Sequence, residues 1–368
     1  MTAVAPRTIS SRELAMRVVR DVFGPQERGA QAAFDYHART AGLDARDRAF
    51  AAELAYGAIK HRRLLDWYLK PYLAGRTKPL PPTIVDILRL GIYQLRVMRG
   101  VEDRAAVYET VALALRYGHR GTANLVNAVL RRFITDAPAA PRREQFANDD
   151  EFLATEYALP TWLVAQWRAV FGERIEPVLA GVNAAPQQAL RVNTLALAVD
   201  AAQAELAERG IGAGGSPYVA EVLVVQTGVA SVDPSGRWAR QSEAAAMPVD
   251  LLAPQPGERI VELCSGRGNK SVQIVARLAD RGQLAAIELD PRKAEHWREL
   301  LANAGAHVAT CTVGDAREPA ELADADGVLI DAPCSGIGVV GRHPEARWRK
   351  SADDGARLST LQRALLAA

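Results

Sequence analysis

From residue 10 to about 135 the apolar positions recur at helical spacing. In TIVDILRLGIYQLRVM, Ile84, Ile87, Leu88, Gly91, Ile92 and Leu95 fall on one face, and no strand-like alternation interrupts the run. The three prolines of RTKPLPPT, residues 76–83, break it and predict a loop between helices. Residues 1–138 thus read as an all-α bundle. The stretch DAPAAPRREQFANDDEF, residues 136–152, is rich in proline and charge and reads as a linker; a helix over TWLVAQWRAVFG follows, so 139–185 is expected to be a helical linker. The texture changes near residue 187. QQALRVNT and YVAEVLVVQ read as strands, with a helix over AVDAAQAELAERG between them that stops at Gly210, giving a small α/β unit over 186–245. From 250 onward RIVELC, QLAAIEL, HVATCTV and DGVLIDA alternate with helices over 270–279 and 291–304. Right-handed crossovers make residues 246–368 a parallel, doubly wound sheet.

A chain of 368 residues suits two or three domains, each with its own core. No run of 18 apolar residues exists and the first residues lack the apolar stretch of a secretory signal, so the chain reads as cytoplasmic, with no membrane partner. Cys264, Cys311 and Cys334 are too few for a disulfide framework and lack histidines at zinc spacing, which predicts reduced thiols and no metal. The net charge of +2 hides an asymmetry: residues 1–140 carry 22 Lys and Arg against 13 Asp and Glu, and the remainder 23 against 30. A basic helical module suggests a polyanion such as nucleic acid; solvated helix faces are the plain alternative. Oligomeric state is left open.

In VELCSGRGNKS an aliphatic strand runs into a turn where Gly266 and Gly268 can take the required φ values, and then into a helix. Glu288 ends the next strand 22 residues after Gly266, near the spacing at which an acid meets a ribose diol. Asp315 ends the third strand and Asp331 the fourth, so four strand ends deliver polar groups to one edge. Ser271 stands where a dinucleotide fingerprint wants its third glycine, and no Walker pattern is present. S-adenosylmethionine suits the set: its ribose at Glu288, its adenine amine at Asp315, and its amino acid end at the 264–270 loop.

DAPCSGIGVVGRHPEARW resembles the fourth motif of the RNA cytosine-5 methyltransferases of the Sun/Fmu group, and VELCSGRGNKS is similar to their first. LRVNT resembles their N-terminal motif, after a small RRM-like pattern. DRAFAAELAYGAIKHRRLLDWYL and NLVNAVLRRF resemble the NusB-type RNA-binding domain at the front of the small-subunit rRNA methyltransferase B branch. The resemblance covers most of the chain. It implies an α plus α/β multidomain protein: a NusB-like bundle, an RRM-like subdomain and a Rossmann-like methyltransferase sheet. It further implies S-adenosylmethionine held by Cys264, Ser265, Gly266, Arg267, Gly268, Asn269, Lys270, Glu288, Asp315 and Asp331, and a ribosomal RNA cytosine, converted to 5-methylcytosine, as acceptor. The donor loop departs from the family's Asp-Ala-x-Ala-Pro-Gly-Gly-Lys, with Glu262, Ser265, Gly266, Arg267 and Asn269 at the corresponding places. Family members also carry a Thr-Cys nucleophile after a fifth strand. This chain ends at TLQRALLAA, so the expectation is a C-terminally incomplete sheet, without its last strands, that transfers little methyl by itself.

Cytosine C5 is a weak nucleophile, and its methylation needs a thiolate added at C6. In DAPCSG, Asp331 can bond the cytosine N3/N4 edge and Pro333 stiffens the turn. Spacing alone names Cys334 the nucleophile, whereas the resemblance makes it a helper in product release; a small packed hydrophobe is the third reading. Lys270 anchors the loop or the donor, or is a solvated charge. Arg342, His343, Arg347 and Trp348, with Arg349 and Lys350, form a basic run with an aromatic that suits RNA phosphates and a stacked base; a solvated helix start competes. Arg191 and Asn193 orient RNA or a domain junction, or else cap the small subdomain. A noncatalytic RNA-binding protein with a degenerate donor fold and an NAD-type oxidoreductase are the rival functions.

Overall fold

The computed structural model describes residues 9–231, 233–318 and 324–368. By packing, the chain divides into two units: residues 1–185 with 336–352, and residues 186–335 with 353–368.

In the first unit the helical spacing becomes seven helices: Ser11–Phe23, Ala30–Ala38, Ala45–Lys60, Arg62–Leu73, Pro82–Arg96, Asp103–Tyr117 and Arg120–Asp136. Their starts follow local chemistry. Ser10 Oγ accepts the Glu13 N–H at 3.2 Å and Asp44 Oδ1 accepts the Asp47 N–H at 2.8 Å, each satisfying an orphan donor of a first turn. Pro82 opens its helix, where its missing N–H costs nothing. Leu14, Val18, Leu54, Ile87, Leu88 and Leu130 are buried in one shared core. Gly57 lets two helices touch: a Cβ there would stand 2.0 Å from the Tyr93 ring. Buried Glu13 is satisfied by Tyr117 Oη at 2.6 Å, Arg17 Nη2 at 2.7 Å and Arg116.

The expected linker is more ordered than its proline content suggests. Asn148 Oδ1 accepts the Glu151 N–H at 2.9 Å and caps a helix, Asp149–Glu156, inside the polar stretch. Helices Thr161–Phe171 and Ile175–Asn183 follow, and Leu153, Leu159, Leu163 and Leu179 form a satellite core.

Among the described residues the second unit holds two four-stranded sheets. Strands β1 (Ala189–Val192), β2 (Gly212–Gly215), β3 (Val222–Thr227) and β4 (Trp238–Arg240) form an antiparallel sheet in the order β2-β3-β1-β4, with helix Val199–Glu208 packed on it. Strands β5 (Arg259–Leu263), β6 (Gln283–Glu288), β7 (Ala309–Val313) and β8 (Gly327–Ile330) form a parallel sheet in the order β7-β6-β5-β8. Leu263 pairs with Ile287 on one side and Ile330 on the other, so β5 is central and its tip faces the point where strand order reverses. Open α/β sheets bind ligands at that crevice. Helices Asn269–Arg277 and Pro291–Asn303 bury Val272, Ile274, Val275, Trp297 and Leu301 against the sheet. Among the described residues β8 pairs with β5 alone, and Val328 is 51% exposed.

Candidate methyl-donor site

The chain leaves β5 at Leu263 and turns at once. Cys264 takes φ +60° and Gly266 φ +62°; Gly268, at φ +91°, immediately precedes helix Asn269–Arg277. A left-handed non-glycine residue costs about 1–3 kcal/mol, and neighbouring bonds hold the turn in place. The Ser265 N–H donates to Ile287 O at 3.0 Å, and the Gly266 N–H donates to Glu288 Oε2 at 2.8 Å. A Cβ on Gly268 would approach Trp297 Cδ1 to 2.9 Å, so the turn needs glycine there for space as well as for φ. Glu288, 6% exposed, also accepts the Asp290 N–H at 3.0 Å. Its carboxylate therefore ties the tip of β6 to the β5 turn.

These tips enclose a cavity of about 380 Å³. Of the residues expected to hold a donor, Cys264, Gly266, Glu288, Asp315 and Asp331 line it. Ser265, Arg267, Gly268, Asn269 and Lys270 shape the loop without lining the cavity; Ser265 is buried, and Arg267 and Asn269 are exposed. Lys270 Nζ lies 2.5 Å from Asp331 Oδ2, which offsets the cost of a cation at a helix N-terminus and ties the loop to the end of β8. Cys334 is exposed and follows Pro333, which does line the cavity. A larger hollow of about 870 Å³ lies in the helical unit beside Tyr108 and Arg131, and none of the expected site residues line it.

Burial acts on two of the cysteines alike. Burial pushes the Cys264 thiol up, and the charges of Glu288, Asp331 and Asp315 push it further. Burial likewise raises Cys311. Neither is set up as a thiolate. Asp315 goes the other way, held down at about 2 by hydrogen bonds from Arg317.

Sequence reasoning missed several participants. Arg317, Lys293 and Leu289 follow strand tips by one to five residues, and extending the strand-tip rule a few positions would have found them. Leu361 and Leu365, one turn apart on helix Ala352–Ala367, also line the cavity, and Gln362 Nε2 donates to Pro333 O at 2.9 Å. Glu262, noted only as a departure in the loop, is 1% exposed beneath it. Ser271 Oγ donates to Glu262 and accepts the Trp297 Nε1–H at 2.6 Å. Burial raises the Glu262 carboxyl to about 8 against the opposing pull of Ser271 and Lys270.

Two expected RNA contacts, Arg347 and Trp348, are corrected, and of the readings open for Arg191 the RNA contact gives way to the junction. Arg347 is 1% exposed, and its guanidinium donates to Ala158 O at 3.0 Å, Asn183 Oδ1 at 2.9 Å and Val340 O at 3.1 Å. Trp348 packs on the helical core and donates Nε1–H to Ile59 O at 2.7 Å. Both hold residues 336–352 in the first unit, so a basic and aromatic signature here serves packing. Arg191 is 2% exposed, with burial lowering it to about 10; Nε donates to Gln241 Oε1 at 2.8 Å and Nη2 to Asn269 O at 3.3 Å. With Asn193, whose Nδ2 donates to Ala304 O at 2.9 Å, it fastens the small sheet to the parallel-sheet region. Arg342 and His343 remain exposed.

The cavity suits a cationic nucleoside. Its lining sets Glu288, Asp290, Asp315 and Asp331 against Lys293 and Arg317, an acidic excess that favours a sulfonium. A Cβ at Gly266 or Gly314 would meet no atom within 4 Å, so the space over both glycines is open. Among the described residues no group of three or more His, Cys, Asp or Glu could hold a metal ion, and no helix is long and apolar enough to cross a membrane.

A parallel sheet whose acidic tips and glycine turn line one cavity defines a Rossmann-like α/β protein with a ligand crevice at its strand ends. Residues 9–135 match the NusB family, 159–232 the ferredoxin-like domain of RsmF/B-like methyltransferases, and 249–368 the 16S rRNA methyltransferase RsmB/F family. A probable ribosomal RNA small subunit methyltransferase B of Synechocystis sp. is 31% identical over 98% of this chain and 82% of its own length. The ribosomal RNA small subunit methyltransferase B of Pseudomonas putida is 32% identical over 88% of this chain and 74% of its own. The chain belongs to the ribosomal RNA small subunit methyltransferase B family, and its methyl donor is S-adenosylmethionine. Among solved structures, that of PH0851 shares the fold, with a TM-score of 0.76 and 24% identity over 98% of this chain and 82% of that one.

Proposed function

We propose that the protein methylates carbon 5 of a cytosine in small-subunit ribosomal RNA, in the cytoplasm, with the basic helical unit holding RNA around the target. The observation that carries this reading is the convergence of Gly266, Glu288, Asp315 and Asp331 on one cavity. S-adenosylmethionine, when bound, supplies an electrophilic methyl group. Glu288 takes its ribose hydroxyls, Asp315 its adenine amine, and the 264–270 loop its amino acid end.

The acceptor base must leave its stack to reach such a site, which favours a loop or an opened stem. Asp331, steadied by Lys270, offers acceptor oxygens to the cytosine N4 amine. A thiolate adds to C6 of the ring, C5 becomes nucleophilic and is methylated, the C5 proton leaves, and the thiol is eliminated. Cys334 assists that elimination: it is exposed, adjoins the cavity through Pro333 and stands outside the lining. In this reading Cys334 serves release and not attack. Arg342 and His343, exposed beyond the turn, are the remaining RNA contacts of the basic run.

The deciding experiment maps modified bases in small-subunit rRNA from cells with and without the gene. Loss of one 5-methylcytosine is expected. Loss of a different methylated base, or of none, refutes the reading.

A further inference from the structure

One ion pair in the donor cavity joins residues two positions apart. Asp315 follows β7, and the Arg317 side chain folds back over its carboxylate; both line the cavity. The Arg317 backbone N–H donates to Oδ1 at 2.9 Å, Nε donates to Oδ1 at 3.0 Å and to Oδ2 at 3.1 Å, and Nη2 completes the fork on Oδ2. A guanidinium spanning both oxygens fixes the plane of the carboxylate and leaves it an acceptor without a proton to give. The side chains are 52% and 31% exposed, so the pair contributes little to folding. Its geometry is therefore free to serve a ligand.

An acceptor-only group attracts an amine and repels a carbonyl oxygen. We propose that Arg317 is a specificity-determining positioning residue, locking Asp315 as a fixed acceptor for the exocyclic amine of the donor's purine, so that the cavity takes a 6-aminopurine nucleoside and rejects its 6-oxo counterpart. The inference rests on the reading of this cavity as the donor site. Lys293, the other cation in the lining, stands 3.8 Å from Glu288 and leaves Asp315 to Arg317. Lysine at position 317 does not substitute, because an ammonium is a point charge that cannot bridge two oxygens in one plane.

The test is calorimetric titration of the 368-residue chain with S-adenosylhomocysteine and with S-inosylhomocysteine. Wild type is expected to bind the amino compound at least about tenfold more tightly, as a charge-assisted hydrogen bond requires. Arg317→Met loosens Asp315 and brings the two affinities to within about threefold, and Arg317→Lys behaves like Arg317→Met. Asp315→Asn, whose amide can turn an N–H toward a 6-oxo group, moves the preference toward the inosyl compound. A wild-type ratio retained in Arg317→Met overturns the inference, as does restoration of that ratio by lysine. Tighter adenosyl binding in Arg317→Met also overturns it, because the arginine would then be blocking the carboxylate. Absence of binding by wild type defeats the donor reading together with this one; tight binding with an unchanged ratio across the Arg317 variants defeats this one alone. Circular dichroism confirms that each variant is folded.

Discussion

Replacing Glu262 by glutamine should make the second unit more stable at pH 8 and nearly unchanged at pH 5. Glu262 lies beneath the donor turn, 1% exposed, and burial raises its carboxyl from 4.5 to about 8. The unfolded chain releases this proton above about pH 4.5, while the folded chain keeps it until about pH 8. The folded state thus binds more protons across that window, and stability falls as pH rises through it. Each pH unit is worth about 1.4 kcal/mol, so the full window amounts to roughly 4–5 kcal/mol. That is a large share of the roughly 5–15 kcal/mol that keeps a domain folded. Glutamine keeps an acceptor for the Ser271 hydroxyl and has no proton to lose. The assay is urea unfolding of wild type and Glu262→Gln at pH 5, 6.5 and 8, followed by tryptophan fluorescence, since buried Trp297 bonds Ser271 directly. The difference between the two proteins removes every other titrating group from the comparison. A difference that stays constant from pH 5 to pH 8 refutes the reasoning, because it means Glu262 ionises alike in both states.

Glu288→Gln should weaken S-adenosylhomocysteine binding about tenfold and leave RNA affinity unchanged, since only the donor side of the cavity is altered; parallel losses in both titrations would point to unfolding instead. Arg347→Met should lower the melting temperature by an amount equivalent to about 3 kcal/mol, having removed the donors that satisfy buried acceptors, while RNA binding measured on the folded protein holds. Weaker RNA binding with an unchanged melting temperature would restore Arg347 as an RNA contact. Incubated with donor and 5-fluorocytidine-substituted small-subunit RNA, Cys334→Ser should form as much covalent adduct as the wild type, because Cys334 is proposed to assist elimination and not to attack. An adduct that appears and is lost in Cys334→Ser would make Cys334 the nucleophile.

Much of the cavity was legible because β5, β6 and β8 hold short aliphatic runs, and the pattern breaks at or just past each strand end, at Gly266, Glu288, Asp315 and Asp331. Strand period and turn chemistry are local properties. Side-chain partnerships across the fold are not, which is why Arg317, Leu361 and the Glu262–Ser271–Trp297 chain escaped. Gly212–Gly215 was missed as a strand since glycine has little intrinsic preference for one; pairing with β3 supplies what the residues lack. Helix Asp149–Glu156 was hidden by proline and charge upstream, although Asn148 at its cap was a usable sign. Arg347 and Trp348 show the opposite failure. Cation and aromatic side by side suit a nucleic acid, and they equally suit the plugging of bare carbonyls, a choice that burial alone decides.

The lodging of residues 336–352 among the helices also bears on any attempt to dissect the molecule. A fragment cut after the small antiparallel sheet would keep every helix of the bundle yet leave the carbonyls of Ile59 and Ala158 without the tryptophan and arginine that cap them. Two-piece expression should therefore yield an N-terminal half that is sticky and prone to precipitate, and a synthetic peptide spanning 336–352, added in trans, should dissolve it.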